Sequence, residues 1–163
     1  LQGKDLAALV GARSIHQFLQ GLITRVQVFE ASVVERGGDR LDLLMESAAR
    51  HGRLVAGRLA PGENPPSIAD IGRLLNDTQL EGMPCDPPAT FTPLPSGEGF
   101  DYLHSTCNHM ANWSFTGVDP AVMCRLNNRW IAGFVEGLGG SYGVTETLAE
   151  GGKGCKATVK RMG

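Results

Sequence analysis

Between residues 12 and 35, Ile15, Phe18, Leu19, Leu22, Val26, Phe29 and Val33 follow one another at three- and four-residue steps, with one shorter step. That is the period of an amphipathic helix. Gly37 and Gly38 close the stretch. Asp39 is placed to cap the next helix, because its carboxylate accepts an orphan backbone N–H. The second predicted helix covers residues 40–58 and presents Leu41, Leu44, Met45, Ala48, Leu54 and Val55 inward. Pro61, Gly62, Pro65 and Pro66 interrupt the period, and Ser67 then caps a shorter helix carrying Ile68, Ile71, Leu74 and Leu75.

The pattern changes after residue 82. Pro84, Pro87, Pro88, Pro93 and Pro95 argue against helix and suit extended or edge-strand segments, with Phe91 and Leu94 available to dock on a core. Residues 98–107 alternate loosely and predict a strand. Residues 108–117 predict a short helix or turn. Asp119 followed by Pro120 is a helix start, Asp as cap and Pro in the first turn. The helix over residues 120–138 should bury Val122, Met123, Leu126, Trp130, Phe134 and Leu138, and Gly139 with Gly140 should stop it. Residues 142–149 and 155–161 predict two strands joined by the glycine-rich turn at 150–154. No internal repeat, heptad run or low-complexity tail is evident. The sum is one α+β domain over residues 1–163, helical over 1–80, then a small antiparallel sheet with one long helix before a C-terminal hairpin over 81–163.

Composition narrows the function classes. The 163 residues are 42% hydrophobic and 20% charged, with a net charge of −2, which gives no electrostatic argument for nucleic acid or an anionic membrane. Aromatic content of 6% offers no base-stacking platform. No apolar run approaches bilayer length. Four cysteines (Cys85, Cys107, Cys124 and Cys155) are too sparse for a disulfide scaffold, and no C-x-x-C pair gives structural-zinc spacing. Reduced thiols in a cytoplasmic protein are the expectation, with no metal or cofactor. The amphipathic N-terminal helices leave pairing with a second copy open.

Candidate chemistry concentrates around the cysteines. Cys124 lies five residues after Asp119, near the start of its helix, where free N–H groups and the helix dipole favour an anion and lower a thiol pKa. The alternative is a small buried hydrophobe. In His104-Ser105-Thr106-Cys107-Asn108-His109 a thiol stands between two imidazoles. If that segment stays extended, His109 and Cys107 share a face while His104 points away. A Cys–His pair activates a nucleophile, and also supplies metal ligands to which Cys124 or Cys155 could add. Asn127 and Asn128, three and four residues past Cys124, lie on the cysteine's side of the helix. Glu146 belongs to the hairpin and matters only if it faces that helix. His16, Gln17 and His51 read as structural.

The segments F-D-Y-L-H-S-T-C-N-H-M-A-N-W-S-F-T-G, V-M-C-R-L-N-N and T-E-T-L-A-E-G-G-K-G-C-K-A-T-V together resemble the L-2-amino-thiazoline-4-carboxylic acid hydrolase-like family over residues 98–160. The shared features are a strand ending in Cys107, Cys124 opening a helix, and a closing hairpin from Thr147 to Cys155. The same helix-then-hairpin ending is similar to the 4-vinyl reductase type of ligand-binding domain. The first resemblance implies hydrolytic opening of a cyclic amidine or thiazoline-like C–N bond, the second small-molecule binding without catalysis. One departure is Asn127, where the first family implies an acidic residue; an amide is no general base.

Two functions follow. In the favoured one, Cys124 or Cys107 attacks a small heterocycle, His109 or His104 handles the proton, and Asn127 or Asn128 steadies the developing charge. In the alternative, a cavity lined by Phe100, Tyr102, Trp113, Phe115, Trp130 and Phe134 holds an apolar or amphipathic ligand, and the cysteines are packing residues. His104, Asn128, Trp113, Trp130 and Tyr102 are the expected substrate-binding side chains. A zinc-assisted hydrolase, with the cysteines and His109 as ligands, is a third option.

Overall fold

The computed structural model describes residues 14–62, 64–79 and 89–162. Pro84, Cys85, Pro87 and Pro88 lie outside the described residues. Helices α1 (Ile15–Gly37), α2 (Leu41–Leu59) and α3 (Ile68–Thr78) come first. Strands β1 (Thr90–Pro93) and β2 (Gly99–His104), the short helix α4 (Met110–Trp113), the long helix α5 (Pro120–Gly137), and strands β3 (Gly140–Glu146) and β4 (Cys155–Arg161) follow. The fold is α+β. Its four strands form one antiparallel sheet in the order β1-β2-β4-β3.

Helix starts follow local chemistry. Ser14 and Ser67 each form a reciprocal capping box, with Gln17 and Asp70 respectively, and Asp119 accepts from the Ala121 N–H ahead of Pro120. Asp39 does not act as the expected cap: Gly38–Arg40 is a single 3-10 turn and α2 begins without a side-chain cap. Two strand boundaries also move. Gly140 opens β3 instead of ending the helix, with Gly139 alone turning the chain at φ +81°. After a bulge between Val144 and Glu146 the chain enters a 3-10 turn at Leu148–Glu150, so β3 stops short of residue 149. β2 likewise ends at His104, not at Cys107.

The core lies between α5 and the sheet. Phe100 and Tyr102 of β2, Ala157 and Val159 of β4, Ile131, Phe134, Val135 and Leu138 near the end of α5, and Ile71 and Leu75 of α3 are all buried. α5 meets α2 on its other flank through small residues: Ala49, Gly52 and Ala56 on α2, Gly133 and Gly137 on α5. A Cβ on Gly133 would stand 2.0 Å from the Ala49 carbonyl oxygen, and one on Gly52 2.2 Å from that of Trp130. The two backbones touch, and only glycine permits it. This close crossing rotates α2 away from the inward face expected from its large residues, leaving Leu54 exposed. A similar rotation affects α1, which buries Gln27, Ala31 and Val34 and not its apolar stripe.

Candidate functional site

Beside α5, where β2, β3 and β4 approach the turn of residues 105–109, the structure encloses a small pocket of about 50 Å³. Cys107, Cys124 and Cys155 all line it, together with Asn127 and Asn128, His104 and His109, Tyr102 and Trp113. Eight of the nine residues expected as catalytic or substrate-binding therefore line one pocket, and Cys155 joins them. The ninth, Trp130, does not: its indole donates to His51 Nδ1 at 2.9 Å and it faces a separate groove. The aromatic cavity expected for a ligand-binding domain is also absent in that form. Phe100 and Phe134 are consumed by the core, and Phe115 is 75% exposed.

The pocket's centre is built by α5. An i,i+4 step places Asn128 over Cys124, and its amide nitrogen donates to the Cys124 carbonyl at 2.9 Å and to the Cys124 sulfur at 3.4 Å. The amide oxygen accepts from the Tyr142 hydroxyl at 2.7 Å, which ties the helix to β3. Cys155 stands opposite, its sulfur accepting from the Leu148 N–H at 3.4 Å, and it pairs with His104 across β2 and β4.

Electrostatics correct one expectation. Cys124 lies in the second turn of α5, past the free N–H groups at the helix start, and is only 9% exposed. Burial pushes its thiol up to about 11, the neighbouring Cys155 adds to the rise, and the hydrogen bond with Thr147 opposes it. Cys124 is thus a buried, protonated thiol at neutral pH, which fits the small buried hydrophobe and not the activated thiolate of the two readings of its place in the helix.

The histidines are also placed differently from an extended strand. Because β2 ends at His104 and the chain then bends, His104, Cys107 and His109 all reach the pocket. His104 Nε2 hydrogen-bonds the Tyr102 hydroxyl two residues earlier on the same strand face. His109 stacks on Trp113 with ring centroids 5.0 Å apart. Its Nδ1 meets the Gln27 amide nitrogen at 2.5 Å, and the Gln27 amide oxygen accepts from Asn112 at 2.6 Å. With Gln27 donating, Nδ1 is the acceptor and the ring proton sits on Nε2. In that tautomer His109 is anchored by α1 rather than poised as a base.

Glu146 does line the pocket, yet its carboxylate is committed to Lys156 Nζ at 2.5 Å and the Lys153 N–H at 2.5 Å. The Lys156 hydrogen bond, foremost, holds it below the usual carboxylate range. Tyr142, Thr147 and Gln27 were not foreseen as site residues. Tyr142 carried a signal in its strand alternation with Val144. Gln27 was marked by its i,i+4,i+7 spacing with Ala31 and Val34. Among the described residues, no three His, Cys, Asp or Glu side chains group as metal ligands, and no helix is long and apolar enough to cross a membrane.

Next to the pocket lies a larger groove of about 480 Å³ between α1, α2 and α5. Val26, Phe29 and Val33 of α1 and Leu126 and Trp130 of α5 give it apolar walls, and His109, Trp113 and Asn127 border both spaces. No protein-family model matches the chain, and no curated protein matches it.

Proposed function

We propose that the thiol pocket binds a small polar heterocycle, or a ring-sized head group of a larger molecule. The observation that carries this is the convergence of three cysteines from the 105–109 turn, α5 and β4 with two asparagine amides on one enclosed space. Soft sulfur walls complement a polarisable ring, and the Asn127 amide offers a donor and an acceptor to ring nitrogens or a carboxylate, while the Asn128 amide is engaged by Cys124 and Tyr142. A volume of about 50 Å³ admits roughly three or four waters, so only a compact ring or head group fits inside it.

A second reading is hydrolytic ring opening, favoured by Cys107. It is half-buried on the pocket wall, more accessible than the buried Cys124, and it falls at a position of the motif that resembles the L-2-amino-thiazoline-4-carboxylic acid hydrolase-like family. Its sulfur would bond to the ring amidine carbon while the thiol proton passes to the departing ring atom as that bond breaks. Water would then cleave the new C–S bond and restore the thiol, one water consumed per ring opened. Asn127, in place of an acid, supports binding over turnover.

The discriminating experiment presents thiazolines, cyclic amidines, lactams and imides to wild type, Cys107→Ala and Cys124→Ala. Binding is read by calorimetry and ring opening by mass spectrometry. Binding without turnover, weakened in each variant, supports the first reading. Turnover lost only in Cys107→Ala establishes the second. No binding by wild type across all four classes would sink both.

A further inference from the structure

Among the described residues, nothing fully covers the apolar stripe of α1. Its exposed members are Ile15, Leu19, Leu22, Val26, Phe29 and Val33, each between 36% and 68% exposed. Phe18, which broke the spacing when the sequence was read alone, is partly covered and drops out of this set. What remains steps 4, 3, 4, 3 and 4 residues, a heptad seam with Leu19, Val26 and Val33 at a and Ile15, Leu22 and Phe29 at d. α1 therefore has two apolar faces. Gln27, Ala31 and Val34, at the outward b and f positions of that heptad, are the residues that dock on the rest of the molecule.

The flanking charges indicate what covers the seam. Arg25 falls at g and Glu30 at e of the following heptad, five residues on. In a parallel two-stranded coil a g side chain meets the e side chain five residues further along the other helix, so two copies of α1 would form the Arg25–Glu30 pair twice, once on each side. An antiparallel pair would instead set g against g and e against e, so Arg25 and Glu30 would not meet. β-Branched Val26 and Val33 at a with Leu22 at d also suit two parallel strands. Both charged residues keep exposed surface and, among the described residues, neither makes a salt bridge within the chain, although Glu30 borders the groove and feels the charge of His51.

We propose that the chain forms a parallel homodimer through α1, sealed along the Ile15–Val33 seam and held in register by reciprocal Arg25–Glu30 ion pairs. The contact runs for about 27 Å at 1.5 Å per residue. α1 is already held as a helix by its docked face, so pairing costs no helix formation. Val26, Phe29, Glu30 and Val33 also form the α1 side of the large groove, so a second copy would flank its mouth. Desolvation raises the Glu30 carboxyl from its ordinary range, with His51 opposing, and Arg25 of the second copy would supply a further counter-charge.

Sedimentation velocity of the full chain over a concentration series tests this, with circular dichroism and thermal melting as controls for folding. Wild type should be dimeric, and Val26→Glu with Phe29→Glu should be monomeric with an unchanged helical spectrum. Arg25→Glu alone and Glu30→Arg alone should each raise the dimer dissociation constant on the order of tenfold, since each turns two attractions into two repulsions. The two reversals combined should bring it back to within a few-fold of wild type. A monomeric wild type, a dimer indifferent to the single reversals, or a double reversal that fails to recover would overturn the proposal.

Discussion

The Asn128 amide nitrogen lies 3.4 Å from the Cys124 sulfur and 2.9 Å from the carbonyl of the same residue, while its amide oxygen receives the Tyr142 hydroxyl. One side chain thus fixes the thiol on α5 and the position of β3 against it. The pocket's shape depends on this link, and the consequence is measurable. Asn128→Ala removes both bonds and leaves the Tyr142 hydroxyl without that acceptor, which should cost about 1–3 kcal/mol in urea denaturation. Tyr142→Phe, which removes only the hydroxyl, should cost less. The double variant Asn128→Ala with Tyr142→Phe should cost less than the two single losses combined, because the residues act as a pair. Additive losses would show that the link carries no coupling.

Cys124 provides a titration signature. Its folded pKa of about 11 lies above the ordinary 9.0. Below pH 9 the thiol is protonated in folded and unfolded chains alike, and its favourable burial is fully present. As pH rises from 9 toward 11 the unfolded chain loses this proton first, so that contribution declines across the window. The melting temperature should fall over that range more steeply in wild type than in Cys124→Ala. At pH 7, iodoacetamide should label Cys107 well before Cys124 in the folded protein, as peptide mass spectrometry would show. Early labelling of Cys124 would contradict the buried, protonated thiol.

The α2–α5 contact predicts an unusual sensitivity to a single methyl group. Gly133→Ala places a Cβ 2.0 Å from the Ala49 carbonyl oxygen, backbone that cannot swing aside. The expected loss is about 3 kcal/mol or more, or failure to fold. Gly21, mid-helix on α1 with nothing within 4 Å of its own added Cβ, should respond oppositely. Gly21→Ala should stabilise by about 0.5–1 kcal/mol, the helix-propensity gain alone. Comparing the two denaturation midpoints checks both claims.

Gln27 joins α1 to the pocket. It is 5% exposed and bridges His109 to Asn112. Gln27→Leu keeps similar bulk but withdraws both partners' bonds, which should cost about 1–3 kcal/mol. It should also release His109 Nδ1, visible as a change in the ring's nitrogen chemical shifts. Unchanged shifts would show that the bridge does not hold the imidazole.

The sequence by itself determined the order of elements and much of the site's membership. Ser67, Asp119-Pro120 and the glycine-rich turn are local signals: each acts within a few residues, so the helices and hairpin they start or join were legible. Cys124, Asn127 and Asn128 were recognisable as neighbours because helical spacing is fixed by backbone geometry. The thiol between two histidines marked Cys107 as a candidate, and Cys155 was named beside it as a possible fellow ligand.

Only the tertiary structure decided which faces were buried and how the thiols were charged. The large residues of α1 and α2 mark an apolar face by periodicity, but Gly52 and Gly133 let two backbones touch, and that contact sets the helix rotation. Trp130 bonds to His51 and faces the groove, away from the thiols. The Cys124 thiol was judged from its distance along the helix, whereas its ionisation follows from burial and from a second sulfur on a distant strand. Packing and desolvation depend on neighbours far apart in the chain, and local spacing carries no record of them.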